Sequence, residues 1–247
     1  MKENVIAPTQ NVKRAMNCVD YLINRPKTEM VGLGLIYGVP GVGKTRFARR
    51  FAIQNDFIYI GLDSTTTAKS FAMQLLERLK TKYNISETIR GTANFLFRKC
   101  VDIINDVEND VIIFVDEIDY AFKDYKLLGE IRDIVDKTLS IIIMVGMEKA
   151  KLKLLQANAH YFDRCNYFVQ FKNLCHADVK LVCNKISDYP LDSQTIKEIY
   201  SITRGTLRKV IKLLTAIEVK AKKDSLKTVT YNDVKGVLSA ASNKKNS

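Results

Sequence analysis

One glycine-rich run constrains this chain more than any other part of its sequence. The run consists of Gly38, Val39, Pro40, Gly41, Val42, Gly43, Lys44 and Thr45, and it matches G-x-x-x-x-G-K-[ST] in full. It follows the apolar segment 32–37, which predicts a strand, and it leads into a helical pattern over 44–55. Glycines at such a turn let backbone N–H groups point inward around phosphate oxygens, and the helix start favours the anion. The run therefore predicts a phosphate-binding loop for a nucleotide.

Four side chains in and beyond this loop predict ATP and Mg²⁺ chemistry. Lys44 is expected to contact the β- and γ-phosphates of ATP, and the Thr45 hydroxyl is expected to coordinate Mg²⁺. An acidic pair, Asp116 and Glu117, follows the apolar run 111–115, which predicts a strand buried on both faces. Asp116 is expected to hold Mg²⁺ through water, and Glu117 to orient and polarise the attacking water. The alternative for the pair is a solvated acidic turn.

The order of apolar patterns predicts an α/β protein. Strands are expected at 32–37, 57–61, 111–115 and 141–145, and helices at 11–24, 44–55, around 72–79, and 92–106. Such alternation indicates a parallel sheet flanked by helices. After Phe171 the strand patterns stop, and helices are expected at 177–187, 193–201, 206–222 and 231–240. We therefore predict a sheet-containing domain over 1–173 and a small helical domain over 174–247.

Net charge and cysteine content indicate which partners and which cellular compartment to expect. The 247 residues carry a formal net charge of +12, which favours nucleic acid first and an acidic membrane surface second. The alternative is a lysine-rich solvated surface. Five cysteines without a C-x-x-C pair predict reduced thiols in a cytoplasmic protein. The first ten residues contain no signal-peptide core, and the apolar runs are too short to span a bilayer, so no membrane association is expected.

The loop and the acidic pair together resemble the Walker A and Walker B motifs of AAA+ ATPases. This resemblance implies a P-loop AAA+ sheet with a C-terminal helical lid domain, and an ATPase that uses ATP and Mg²⁺. The family's γ-phosphate sensor position is occupied by Gly146-Met147, without the usual polar side chain, which implies slow hydrolysis. Arg208 resembles the sensor 2 arginine, and Arg164 resembles the arginine offered to a neighbouring subunit's nucleotide. The alternatives are a solvated helix arginine for Arg208 and a local salt bridge for Arg164.

Three segments resemble a narrower branch, the transposition ATPases represented by the B protein of phage Mu and the TnsC regulators. These segments are VIIFVDEIDYAF (111–122), IIIMVGMEKAKL (141–152) and YFDRCNYFVQF (161–171). The resemblance implies a homo-oligomer, as a ring or helical filament, that binds double-stranded DNA without sequence preference and directs a transposase in DNA recombination. It also implies that Lys69, Arg90 and Thr92, in loops 63–69 and 88–92, contact DNA phosphates. The alternative is that these are ordinary polar loops.

Two other functions remain open on the sequence. A replication initiator or helicase loader of the same family would share the ATP and DNA chemistry and would differ mainly in its partner. A nucleotide-gated scaffold would bind ATP and partner proteins without binding DNA. The three functions are separated by whether duplex DNA binds and by which partner protein is recruited.

Overall fold

The computed structural model describes residues 1–2, 4–108, 110–157 and 163–243. The chain divides into two compact units. The sheet unit comprises Ala15–Gly38 and Lys44–Gln170, and the helical unit comprises Met1–Arg14, Val39–Gly43 and Phe171–Ser247. The middle of the glycine-rich loop is thus assigned to the helical unit, whereas Gly38 and Lys44 are assigned to the sheet unit.

A five-stranded parallel sheet lies at the centre of the fold. Its strands are β1 (Gly32–Gly38), β2 (Ile58–Gly61), β3 (Ile112–Asp116), β4 (Ile141–Met147) and β5 (Tyr167–Phe171). They are ordered β2-β3-β4-β1-β5, so the sheet places β4 between the strands that precede the loop and the acidic pair. Every residue of β3 is buried, as expected for a strand covered by helices on both faces. The predicted α/β fold class is confirmed.

Helices follow the strands of the sheet as the sequence pattern predicted, with two additions. These helices are α1 (Gln10–Ile23), α2 (Lys44–Gln54), α3 (Ala68–Tyr83), α4 (Ala93–Asp106), α5 (Tyr125–Lys137) and α6 (Ala150–Ala157), with a 3-10 helix at Ile118–Lys123. The additions are α5 and α6, which the sequence pattern does not predict. Phe71, Leu75 and Leu79 of α3 are fully buried, so this helix supplies a large part of the core over the sheet.

Four helices with a core of their own form most of the helical unit. They are α7 (His176–Ile186), α8 (Ser193–Thr203), α9 (Leu207–Lys223) and α10 (Tyr231–Asn243). Val179, Ile199, Val210 and Leu214 are completely buried in this second core. The start of α8 is fixed by Asp192, whose carboxylate accepts a hydrogen bond from the Thr195 N–H at 2.7 Å. Among the described residues, no helix is both long enough and apolar enough to cross a membrane.

Candidate nucleotide site

Two glycines of the loop have a left-handed backbone conformation and close neighbours in the helical unit. Gly41 has φ +83° and Gly43 has φ +100°, in the region that only glycine adopts without strain. A Cβ atom on Gly43 would lie 2.4 Å from Leu207 Cδ2, and one on Gly41 would lie 3.3 Å from Arg208 Cβ. The backbone conformation of the loop therefore favours glycine at positions 41 and 43.

Arg208 lies in the first turn of α9, next to this part of the loop. Its backbone N–H donates a hydrogen bond to the Gly41 carbonyl at 2.9 Å, and its side chain is exposed. The structure thus places the predicted sensor arginine beside the loop residues of its own unit. Its guanidinium is available to a bound anion, while its contact with phosphate stays a prediction.

Lys44 is the buried cation of the site. Its side chain is only 7% exposed, and its ammonium donates a hydrogen bond to the Gly38 carbonyl at 2.8 Å. Gly38 is the last residue of β1, so the ammonium lies at the carboxyl end of the sheet, where ligands bind in open α/β sheets. Thr45 follows in the first turn of α2 and is exposed. A buried ammonium with this orientation favours an anionic ligand.

Asp116 is the buried anion of the site, and both of its carboxylate oxygens accept hydrogen bonds. It is 2% exposed at the end of β3. Oδ1 accepts from the Glu117 N–H at 2.8 Å, and Oδ2 accepts from the Tyr59 hydroxyl at 2.8 Å. Burial and the charge of Asp116 raise the pKa of Tyr59, so its phenol remains a donor at neutral pH. Two donors thus hold this carboxylate in one orientation.

Tyr59 is a residue of the site that the sequence analysis missed. It lies on β2, which pairs in parallel with β3, with Gly61 opposite Asp116. Tyr59 is therefore two residues before the position opposite the acid, and its long side chain reaches along the sheet to the carboxylate. The sequence does show a tyrosine within the strand predicted at 57–61. It does not show the strand order, which brings this tyrosine next to Asp116.

Glu117 combines a left-handed backbone conformation with a raised side-chain pKa. Its φ of 56° and ψ of 40° are left-handed, which costs a residue other than glycine about 1–3 kcal/mol. Burial raises the pKa of Glu117, and the charges of Asp116 and Asp119 add to this effect. The ammonium of Lys44 acts in the opposite direction. A carboxylate poised in this way is suited to accept a proton from water or to orient it.

The end of β4 explains the glycine at the sensor position. A Cβ atom on Gly146 would lie 2.6 Å from the Ala150 Cβ, so there is no room for a side chain. The neighbouring Met147 N–H donates to Asp119 Oδ2 at 2.6 Å, and Asp119 Oδ1 accepts from Lys153 Nζ at 3.0 Å. Close packing against α6 and the 3-10 helix therefore leaves no space at Gly146 for the polar side chain that the family usually carries here.

Arg164 forms an ion pair with Asp136 of α5. The side chains are 43% and 25% exposed, so the pair lies at the surface of the sheet unit. The local salt bridge that the sequence left open is thus present, and a role toward a neighbouring subunit stays a prediction. Tyr161 and Phe162, which open the segment 161–171, lie outside the described residues.

The predicted DNA contacts lie on exposed parts of the sheet unit, with one change of element. Lys69 was predicted in a loop, but α3 begins at Ala68 and Lys69 lies in its first turn. The reason is a capping box in which Thr67 and Ser70 satisfy each other's backbone N–H groups. Arg90 is exposed before α4, and the Thr92 hydroxyl caps α4 by accepting from the Phe95 N–H at 3.3 Å. Thr92 therefore has a structural role, and its contact with DNA stays a prediction.

A model of the AAA domain family matches residues 29–154, more than half of the chain. The chain belongs to the AAA domain family. The predicted resemblance to AAA+ ATPases is thereby confirmed, while nothing singles out the transposition branch. No curated protein matches the sequence.

Solved structures with a similar fold include three AAA+ proteins of archaea. For the Aeropyrum pernix ORC1 protein in complex with DNA, the TM-score is 0.66 at 16% identity, covering 96% of this chain and 66% of that one. For the Aeropyrum pernix ORC2 protein in ADPNP-ADP complexes, the TM-score is 0.68 at 14% identity, covering 97% of this chain and 71% of that one. For CDC6P from Pyrobaculum aerophilum, the TM-score is 0.62 at 16% identity, covering 92% of this chain and 65% of that one. The AAA chain spans about two thirds of the length of these proteins, and at such identities the likeness concerns the fold alone.

Proposed function

We propose that this AAA protein is an ATP-dependent, sequence-independent DNA-binding ATPase that assembles on duplex DNA and directs a transposase. The observation that carries the ATPase part is a pair of opposite buried charges at the carboxyl ends of the sheet. Lys44 and Asp116 are 7% and 2% exposed and lie at the edge of the sheet where ligands bind in open α/β folds. A cation and an anion at this edge suit an ATP phosphate and its magnesium ion, respectively.

The residues present fit a magnesium nucleotide. Backbone N–H groups of the loop would bind the phosphates, and the loop residues proposed to do so are Gly38, Val39, Pro40, Gly41, Val42, Gly43, Lys44 and Thr45. Thr45 and Asp116 offer the oxygen ligands that Mg²⁺ prefers, and the bound ion neutralises phosphate charge. Glu117 orients the attacking water, Arg208 contacts the phosphates, and Arg164 acts on the nucleotide of a neighbouring subunit.

DNA binding is supported by charge and by the fold. The net charge of +12 favours a polyanion, and the ORC1 protein with the same fold was solved in complex with DNA. Lys69 and Arg90 are exposed cations, and Thr92, two residues after Arg90, caps the start of α4. We propose that these three contact phosphates in a homo-oligomer, which presents many copies of the same contact to one duplex.

A replication initiator or helicase loader is the second candidate. The observation in its favour is the fold similarity to the ORC proteins and to CDC6P. It requires the same ATP site and the same DNA chemistry, so only the recruited protein distinguishes it. Pull-down with a transposase encoded by a neighbouring gene supports the first function, and pull-down with a replicative helicase in place of it supports the second.

Two substitutions test the ATP site. Lys44→Ala should abolish tight ATP binding, because the loop loses its cation on the β- and γ-phosphates. Glu117→Gln should retain ATP binding and lose hydrolysis, because an amide does not accept the proton of water. Binding is measured with a fluorescent ATP analogue and hydrolysis by phosphate release, with Lys126→Ala, an exposed lysine of α5, as the control. Full hydrolysis by Glu117→Gln would show that another group is the base.

A gel shift with duplex DNA, with and without ATP, tests the remaining part. The parent should bind more tightly with ATP and with little preference for base sequence. Lys69→Ala combined with Arg90→Ala should weaken DNA binding and leave ATP affinity unchanged. A parent protein that binds no duplex at low salt with ATP present is instead a nucleotide-gated scaffold.

A further inference from the structure

The positive charge of this protein is concentrated in the helical unit. By sequence, that unit contains 18 lysines and arginines against 8 aspartates and glutamates, a net charge of +10. The sheet unit contains 21 against 19, a net charge of +2, and the two values add to the +12 of the whole chain. Lys69 and Arg90 belong to the nearly neutral sheet unit. An interaction with a polyanion should therefore involve the helical unit strongly.

One helix of this unit presents a line of exposed lysines. The residues that α9 buries in the core of the unit are Val210, Leu213, Leu214, Ile217 and Ala221. On the opposite side, Lys209, Lys212 and Lys223 are exposed. Lys209 and Lys212 are three residues apart and neighbours on the helix surface. Lys212 and Lys223 are eleven residues apart, which is close to three whole turns, so they align about 16 Å apart along the axis.

The acidic residues of α9 and its C-terminal cap are engaged elsewhere. Glu218 accepts from the N-terminal ammonium of Met1 at 2.6 Å and from the Asp188 N–H at 2.9 Å. Asp224 pairs with Lys220 at 2.6 Å. Within the part of the chain that the structure describes, no ion pair joins Lys209, Lys212 or Lys223 to a carboxylate. The charge of these three lysines is therefore not balanced within the fold.

We propose that Lys209, Lys212 and Lys223, here called the lysine face of α9, bind the phosphate backbone of double-stranded DNA. This inference rests on the proposed function and adds a second contact surface to the one around Lys69 and Arg90. The face is about 21 Å long at 1.5 Å per residue, which corresponds to roughly six base pairs at 3.4 Å each. Lysine contacts to phosphates carry no base information, so the face binds any sequence.

Duplex DNA fits this face better than an acidic membrane does. A helix that binds a membrane surface inserts its apolar side among the lipids. The apolar side of α9 is already used, because Val210, Leu214 and Ile217 are completely buried in the core of the unit. What remains outward is mainly charge, because Val219, 65% exposed, is the one large apolar side chain exposed among the residues of α9, all of which the structure describes. Binding to phosphatidylserine vesicles is accordingly an outcome of the test that would overturn the proposal.

The test is a triple variant of the full chain, Lys209→Ala, Lys212→Ala and Lys223→Ala. Alanine retains helix propensity, so α9 should stay folded. The matched control removes three exposed cations of the sheet unit: Arg98→Ala, Lys126→Ala and Lys149→Ala. Binding to a 30-base-pair duplex is followed by fluorescence anisotropy with an ATP analogue, from 50 to 200 mM salt. ATP affinity is measured alongside for every protein.

The triple variant should bind DNA at least about tenfold more weakly, with a salt slope shallower by about 0.9 for each lost phosphate contact. The control should keep the parental slope, and the corresponding triple Lys→Arg variant should retain parental affinity because the charges remain. If the parent binds DNA and the alanine variant matches the control, the lysine face is not a DNA contact, although the proposed function stands. If the parent binds vesicles and not DNA, the proposed function itself fails.

Discussion

We predict that Glu130 makes the stability of the sheet unit depend on pH. This residue lies in α5, and its Oε2 atom is buried without a hydrogen-bond partner among the described residues. Burial, followed by the charges of Asp124 and Asp133, raises the pKa of Glu130 from 4.5 to about 7. The ionised carboxylate is therefore disfavoured in the folded protein. Glu130→Gln removes the ionisation and keeps the size and shape of the side chain.

The magnitude follows from the difference between the folded and unfolded pKa values. A rise from 4.5 to about 7 corresponds to about 3 kcal/mol at 1.36 kcal/mol per unit. Glu130 is only partly buried, so about 1–3 kcal/mol is expected. Between these two pKa values the folded state holds a proton that the unfolded state has lost, so stability falls as pH rises from about 4.5 to about 7. Glutamine carries no such proton, and the variant loses this decline.

Urea unfolding at pH 5 and pH 8 measures the effect. At pH 8, Glu130→Gln should exceed the parent by about 1–3 kcal/mol in unfolding free energy, and at pH 5 the two should be close. Glu77→Gln, an exposed glutamate on α3, is the matched control and should follow the parent at both pH values. A difference between Glu130→Gln and the parent that is the same at both pH values would refute the reasoning.

Three further predictions concern the site and the core. Tyr59→Phe leaves Asp116 Oδ2 without its donor and should lower the unfolding free energy by about 1–3 kcal/mol in urea without nucleotide; parental stability would contradict the hydrogen bond. Arg164→Ala should change stability by less than about 1 kcal/mol, because its pair with Asp136 is exposed, while ATP hydrolysis and assembly by light scattering should fall. If hydrolysis and assembly are unchanged in this variant, the role of Arg164 is limited to its salt bridge with Asp136. Cys175 should be alkylated rapidly in the native protein because it is exposed, whereas the other four cysteines are buried and burial raises the pKa of their thiols. Mass spectrometry that finds a second modified cysteine would contradict this prediction.

Local patterns were sufficient to predict the fold class and most of the elements. The continuous apolar run at 111–115 became the buried strand β3, and the helical pattern predicted at 206–222 became α9. The loop and the acidic pair were found because phosphate and metal chemistry requires certain residue types at short, fixed spacings. Their chemical roles remain predictions. The sequence analysis missed α5, although its apolar residues at 127, 128, 131, 134 and 135 are buried as one helical face.

The sequence by itself determined which residues can carry the chemistry, because motifs, periodicity and net charge are properties of neighbouring residues along one chain. Only the tertiary structure decided what surrounds them. The bond between Tyr59 and Asp116 exists because β2 pairs in parallel with β3, and strand order depends on the packing of the whole sheet. Packing of the elements also places Ala150 against Gly146. It likewise buries the Oε2 atom of Glu130. Contacts between residues far apart in the chain depend on how the elements pack, and no local pattern encodes that packing.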